Sequence, residues 1–250
     1  MKFYIFASGS KGNATLIVDK NVRILIDLGI SRKQLEDHLK SIHSSIDEID
    51  FILLTHEHID HIKGIESIHH TPIYGGKNTY ACANYRVIEP YVPFKFRHLT
   101  ILPIELSHDA YTPLGFIFKN DKEKLVYITD TGYLSEKNMK LAWNANYYIL
   151  ESNHNRKMLL KTHRPVYVKE RIMSEFGHMS NEDASLYLSE MIGDQTSQVY
   201  LAHISQEANT YELAETTCKK CLMKKKINLD NLVIKTAKQF EMCVGGDCEN

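Results

Sequence analysis

Long apolar runs are missing from this 250-residue chain; none approaches the ~18 residues that mark a membrane-spanning helix. The opening Met1–Ala7 passes straight into a strand-like stretch and lacks the extended apolar core of a secretory signal. Cysteine is scarce: five residues, an odd number without a dense framework, expected to be reduced thiols in a cytoplasmic protein. Excess charge of either sign is also absent. A formal net charge of −1 argues against a protein that coats nucleic acid through general basicity. No repeat, low-complexity tract or Pro/Gly linker interrupts the chain, so one domain over residues 1–250 is the economical expectation.

An apolar fraction of 43% and a charged fraction of 24% are those of a globular protein with a substantial core. Apolar patterning predicts strands at 2–7, 14–19, 22–28, 50–54, 100–106, 114–119 and 124–129, with helices at 31–43 (Ser31 as N-cap), 61–69 and 77–88. The second half is richer in helix, at 134–143, 155–161, 164–176, 181–192 and 209–224, with strands near 146–151, 197–202 and 231–235. Strands and helices spread over both halves imply two sheets with helices outside them.

One segment concentrates chemistry. Thr55-His56-Glu57-His58-Ile59-Asp60-His61 follows the apolar strand Phe51–Leu54 and packs three imidazoles and two carboxylates, Glu57 and Asp60, within six positions. That donor mixture suits a borderline divalent metal. His56 and His58 are two apart and point the same way on an extended segment. Asp60 and His61 follow at a turn and face a neighbouring point, so the spacing suggests two metals.

H-x-H-x-D-H after a strand resembles the signature of the metallo-β-lactamase fold superfamily. The resemblance implies a four-layer αββα sandwich and three further ligands in chain order: a histidine, a bridging aspartate and a last histidine. His108 in Leu106-Ser107-His108-Asp109, Asp130 in Thr129-Asp130-Thr131-Gly132 and His203 in Ala202-His203-Ile204-Ser205 fit those places. It further implies that His56, His58 and His108 hold one ion, that Asp60, His61 and His203 hold the other, and that Asp130 bridges two divalent ions, zinc or manganese.

Three other strings narrow the family. Ser8-Gly9-Ser10-Lys11-Gly12-Asn13 is a tight loop whose amides and hydroxyls could cradle an anion. Glu151-Ser152-Asn153-His154 follows the strand near 146–150. In Gly177-His178-Met179-Ser180-Asn181-Glu182-Asp183-Ala184, Ser180 with Asp183 looks like a capping box with a short acid, which starts a helix at Asn181 whose amides would attract phosphate. Together with His203-x-Ser205 and Asn209, these strings resemble the YycJ/WalJ group of metallo-β-lactamase-fold proteins over about residues 3–235, and RNase Z more distantly. That resemblance implies phosphodiester hydrolysis, with 5′-to-3′ exonuclease action on double-stranded DNA, so DNA is favoured over RNA as partner. Asp60 and His178 are then the expected catalytic residues, and Ser10, Asn13, Asn153, His154 and Ser180 the expected substrate contacts. The alternative is a small-molecule ester, thioester or cyclic-nucleotide metallohydrolase on the same fold. Two positions depart from the group: Asn155 stands where it usually has aspartate, and Ala208-Asn209 where it tends to have paired asparagines.

Arg156, Lys157, Lys161 and Arg164 form an acid-free basic stretch suited to phosphates, and Lys219, Lys220, Lys224, Lys225 and Lys226 form a second that reads better as a solvated helix face. Cys218, Cys221, Cys243 and Cys248 admit a structural zinc site, although the first two fall in a helical pattern; Cys82 is expected as a small apolar residue on a helix.

Overall fold

Alternation along each strand divides the apolar residues into three layers. In β1 (Lys2–Ala7), Phe3 and Ile5 point into a central core, whereas Tyr4 and Phe6 point to an outer one. β3 (Val22–Ile26) and β4 (Phe51–Leu53) repeat the pattern, with Ile24, Ile26, Phe51 and Leu53 inward and Leu25 and Ile52 outward. In the second half, Phe116 and Phe118 of β9 (Leu114–Lys119) and Tyr147 and Ile149 of β11 (Tyr147–Glu151) meet the central core from the other side. Ile117, Tyr148 and Leu150 face away from it. A period of two with both faces apolar is what a sheet buried on both sides requires.

The protein is described here from a computed structural model, over residues 1–68 and 70–247. Among these residues are two seven-stranded sheets. The first runs from β1 through β2 (Ala14–Asp19), β3, β4 and β5 (Ile73–Gly75) to β6 (Tyr85–Val87). The second runs from β7 (Phe94–Phe96) through β8 (Leu99–Glu105), β9, β10 (Lys124–Ile128), β11 and β12 (Gln198–Ala202) to β13 (Val233–Thr236). β14 (Cys243–Gly246) closes the free edge of β1. Helices α1 (Arg32–Ser41) and α2 (Ile59–Ile62) cover the first sheet, and α3 (Glu136–Ala142), α6 (Asn181–Met191) and α7 (Tyr211–Lys224) cover the second. This is the αββα sandwich that the sequence suggested.

The two sheets share one pattern of pairing. Both begin with antiparallel strands (β14-β1-β2-β3 and β7-β8-β9-β10) and continue with parallel ones (β3-β4-β5-β6 and β10-β11-β12-β13). The chain lacks a sequence repeat but has a structural one. Its equivalent fourth strands, β3 and β10, are followed by aspartates in the same left-handed conformation, Asp27 (φ 58°) and Asp130 (φ 59°). Short polar side chains tolerate that region better than bulky ones.

Two expectations need correcting. Residues 77–88 form no helix: a turn with Asn78 at φ 66° leads into β6, which pairs in parallel with β5. Cys82 is exposed in this turn. The helix expected at 61–69 is shorter, a single α turn through Ile62 followed by a 3-10 turn at Ile65–Ser67. The cysteines gather at no metal-capable cluster among the described residues, and Cys248 lies outside them.

Gly29 fixes how the loop after β4 sits on the first sheet. A β-carbon there would come within 1.6 Å of the Asp60 carbonyl oxygen, and the Gly29 N–H donates to the Asn13 carbonyl at 2.8 Å. Gly29→Ala should therefore lower stability by about 1–3 kcal/mol, as overpacking does. Thermal unfolding of the metal-free variant at the parent temperature would show that this approach is not tight.

Candidate metal centre

Every expected ligand lies just beyond the carboxyl end of a strand, along one edge of the sandwich. His56, His58, Asp60 and His61 follow β4, while His108, Asp130 and His203 follow β8, β10 and β12. Strand ends hold side chains firmly because the ladder behind them is fixed, whereas the loop is free to turn the donor atoms together. His203 (φ 52°) and Asp130 both adopt left-handed backbone there, a conformation that persists where surrounding structure enforces it.

The donor atoms converge. His56, His58 and His108 each offer a ligand atom within 4.8 Å of the others, as do Asp60, His61 and His203. Asp130 joins both neighbourhoods, with His56 and His61 in one group and with Glu151, His178 and His203 in another. All seven expected ligands are thus brought into one cluster, with Asp130 between the two triads.

The hydrogen bonds behind these rings decide which nitrogen remains bare. His56 Nδ1 lies 3.0 Å from Thr55 Oγ1, His108 Nδ1 lies 3.0 Å from the Gly177 carbonyl, and His203 Nδ1 lies 2.9 Å from Glu151 Oε1. In each case Nε2 is left facing the cluster, buried and without a hydrogen-bond partner, as is Asp130 Oδ2. His58 is reversed: its Nε2 sits 3.2 Å from the Asp109 carbonyl, which leaves Nδ1. Buried polar atoms without partners are costly, and four of them aimed at one place fit a cation. Imidazole and carboxylate are the donors that a zinc-like ion takes, and carboxylate- or carbonyl-bound imidazoles are the usual outer support of such ligands.

Electrostatics agree. Burial alone would disfavour a charged His61, but the Asp27 and Asp130 carboxylates outweigh it and push that imidazole up to about 9. The same competition, led on the raising side by Asp130, lifts His203 well above the ordinary histidine value. For Asp60, burial is overcome by the His203 and His61 rings, which hold the carboxyl well below its usual range. His56 is driven down by burial and by the neighbouring imidazoles.

Two buried acids organise the cluster: Asp27, which sequence reasoning did not single out, and Glu151, which it quoted in a motif without assigning a role. Asp27 accepts from the Thr55 amide (2.8 Å) and hydroxyl (2.9 Å) and meets His61 Nδ1 at 2.7 Å. Glu151 is fully buried, accepts from the Thr131 and Met179 amides, and meets both His178 Nδ1 (2.8 Å) and His203 Nδ1. The signal for each was an acid at the end of an apolar strand, where a charge has no bland reason to be buried. Burial would raise the Glu151 carboxyl, but the two imidazoles hold it well below the carboxylate range.

The expected substrate residues divide. Ser10 and Asn153 line a cavity of about 210 Å³ over the cluster, with Asp60, His178, Ser205, Arg164 and Arg171. Asn13, His154 and Ser180 are buried instead. The Asn13 side chain joins Gly9 to Asp60 and His61, and Ser180 caps α6. Burial pushes the His154 imidazole down to about 4, which keeps it neutral. Neither anticipated amide cradle is formed. The Gly9, Lys11, Gly12 and Asn13 amides donate to Asn13, Gln239, Gly9 and Asp60, and the Asn181 and Asp183 amides donate to His154 and Ser180. The Ser8 hydroxyl of the same loop accepts from the His203 amide at 2.8 Å, so the loop braces a ligand. The Asp183 side chain meets the Ser180 hydroxyl rather than its amide, so only half of a capping box exists. Asn155 accepts from the Met158 amide as N-cap of α4 (Arg156–Lys161), a task that aspartate performs equally well. Asn209 clamps the Ser152 and Asn153 carbonyls. Arg156 is held by Asp183 through both carboxylate oxygens, and Arg171, outside the basic stretch, takes its place at the cavity.

Two layers of mixed sheet, with this donor set along one edge, define a hydrolase of the metallo-β-lactamase fold. The chain belongs to the beta-lactamase superfamily, whose domain model matches residues 22–204. It is similar to the protein named exodeoxyribonuclease YycJ of Bacillus anthracis, at 34% identity over 238 residues and 90% of each chain. It is also similar to exodeoxyribonuclease WalJ of Streptococcus pneumoniae, at 32% over 231 residues and 86% of each. Among solved structures, the metallo-β-lactamase fold protein YhfI from Bacillus subtilis matches with a TM-score of 0.71 at 17% identity, over 98% of this chain and 99% of that one. The short form of human tRNase Z matches with 0.65 at 16%, over 97% and 98%. These two likenesses concern the fold.

Ligation requires neutral imidazoles, so metal uptake must displace the protons that Asp27 and Asp130 hold on His61 and His203. Zinc affinity should rise with pH toward about 9, and calorimetry at neutral pH in buffers of different ionisation enthalpy should register proton release. Uptake without proton release would overturn the charge state assigned to these rings. Asp130→Ala should weaken both ion positions, whereas His203→Ala should mainly weaken one; two tightly held ions in Asp130→Ala would exclude a bridging carboxylate.

Proposed function

We propose that this protein is a dinuclear metal-dependent phosphodiesterase that removes nucleotides from a DNA end, acting in the cytoplasm as a single domain over residues 1–250. The observation that carries the reading is the make-up of the cavity over the metal cluster. Two guanidiniums, Arg164 and Arg171, paired with Glu207 and Asp109 respectively, line this cavity together with the hydroxyls of Ser10 and Ser205 and several of the ligands. A phosphodiester is the common group that asks for both cationic sides at once. The names of the YycJ and WalJ relatives support a DNA substrate, and α7's lysines, paired in part with Glu215 and Glu190, are not needed for it.

Two divalent ions, zinc or manganese, would supply Lewis acidity for water activation and for charge on the phosphoryl oxygens. His56, His58 and His108 would hold one, Asp60, His61 and His203 the other, with Asp130 shared. Asp60 also orients the attacking water: it is the ligand carboxylate that remains partly open to the cavity. His178 is no ligand in this scheme. Glu151 holds its Nδ1, which presents Nε2 of a partly exposed ring to the leaving oxygen, where it donates a proton or steadies charge. Ser10 and Asn153 contact substrate directly, whereas Asn13, His154 and Ser180 act from behind by fixing the loops that carry those contacts.

His178→Ala should retain full metal content and folding while turnover of a nucleotide linkage falls by roughly 10²–10³. KM should change much less, because the interaction strengthens in the transition state. A nitrophenyl diester, whose leaving group needs no proton, should be affected less. Near-parental turnover of oligonucleotide by His178→Ala would remove the acid role. Failure of the chain to cleave any oligonucleotide in zinc or manganese would remove the nuclease reading itself.

A further inference from the structure

Beside the metal cluster lies a second, larger cavity of about 420 Å³, which shares His108 with it. Its character is different. No lysine or arginine lines it, and one acid, Glu105, does. Three aromatic rings are exposed on its walls, Tyr111 (73%), Phe176 (60%) and Tyr133 (41%). Apolar surface gathered in one exposed place marks a site that a ligand covers. Each stands close in sequence to a residue of the cluster: Tyr111 three beyond His108, Tyr133 three beyond Asp130, Phe176 two before His178. The loops are also tied together, since the Asp109 amide donates to the Phe176 carbonyl (3.1 Å) and the Tyr111 amide to Glu57 Oε1 (2.9 Å). The rings are thus placed by the same backbone that places the ligands.

The geometry points to this cavity as the seat of an unpaired nucleobase, that of the terminal nucleotide whose phosphate lies over the metal cluster. This inference rests on the nuclease reading above. A cavity with an acid and no cation repels phosphate, yet it adjoins the one place where phosphate is attracted. A strand passing through both must set its backbone against Arg164 and Arg171 and turn its base the other way. Aromatic faces stack on any base and so ask for no particular sequence. Glu105, exposed at the rim, accepts from an exocyclic amino group, and Asn138 beside it is held rigid by its bond to the Glu105 carbonyl (2.7 Å). The size is that of small-ligand sites. Seating the last base outside the stack also requires a free end or a frayed pair, which gives a preference for termini without a wall that blocks the strand.

The test uses the full chain with manganese and oligonucleotides carrying 2-aminopurine at the terminal position, at either end in separate substrates. Stacking on the rings should quench its fluorescence on binding, and an abasic terminal nucleotide should raise KM about tenfold or more. The double variant Tyr111→Ala, Phe176→Ala should abolish the quenching and erase the difference between base-bearing and abasic ends. Cleavage of the parent substrate with equal KM for both ends, and no quenching at either, would overturn the base seat and leave the nuclease reading standing. Quenching lost in the double variant, without cleavage by the parent protein, would support the seat and overturn the nuclease reading. Neither quenching nor cleavage would overturn both.

Discussion

Carboxylates sealed from water are the constraint on which this structure turns. Asp27 and Glu151 are fully buried and Asp130 nearly so, and a carboxylate there is tolerated only against protons or cations. The chain meets the requirement with histidines: His61 sets its outer nitrogen against Asp27, and His178 and His203 set theirs against Glu151. The orientation and basicity of His61 and His203 follow from this arrangement, while a hydroxyl and backbone carbonyls orient His56, His58 and His108. Cutting an acid away would free a ring to turn; cutting a ring away would strand an anion.

The structural repeat explains how the labour is divided. Both sheets place an aspartate after their fourth strand in the same unusual backbone conformation, yet the two have opposite tasks. Asp130 reaches into the cluster, while Asp27 stands behind it and holds His61. The strands that follow differ in the same way: the segment after β4 carries four of the expected ligands, whereas β11 ends in Glu151 and is followed by Asn153, which lines the cavity. One architecture, used twice, yields a side that holds and a side that also receives.

Much of this was legible because ligand order and strand ends are written locally. The donors of His56–His61 stood out by their own spacing, and His108, Asp130 and His203 by the ligand order that the resemblance implies, each just after an apolar run; the helix starts at Ser31 and Ser180 lie where their capping serines indicate. What stayed hidden depends on contacts between distant segments. Three-residue strands such as β5 and β6 have too few positions for a period to show, and they exist because β4 offers them an edge. The Ser-Gly loop looks like an anion cradle until Gln239 and Asn13 are seen to occupy its amides. Arg171 and Asp27 belong to no compact motif, and only the closing of the sandwich brings them to the site.

The distribution of ligands between the sheets also has a mechanical side. Phe3, Phe51, Tyr147 and Tyr200 lock the middle of the sandwich with apolar contacts from both sheets. At the working edge, by contrast, the first sheet supplies His56, His58, Asp60 and His61, and the second supplies His108, Asp130 and His203. Any ion shared between those two sets is a cross-link across the seam, joining segments separated by up to 147 positions (203 − 56). The site is therefore a clasp as well as a centre of chemistry. Ions held there would keep the two halves from parting at that edge.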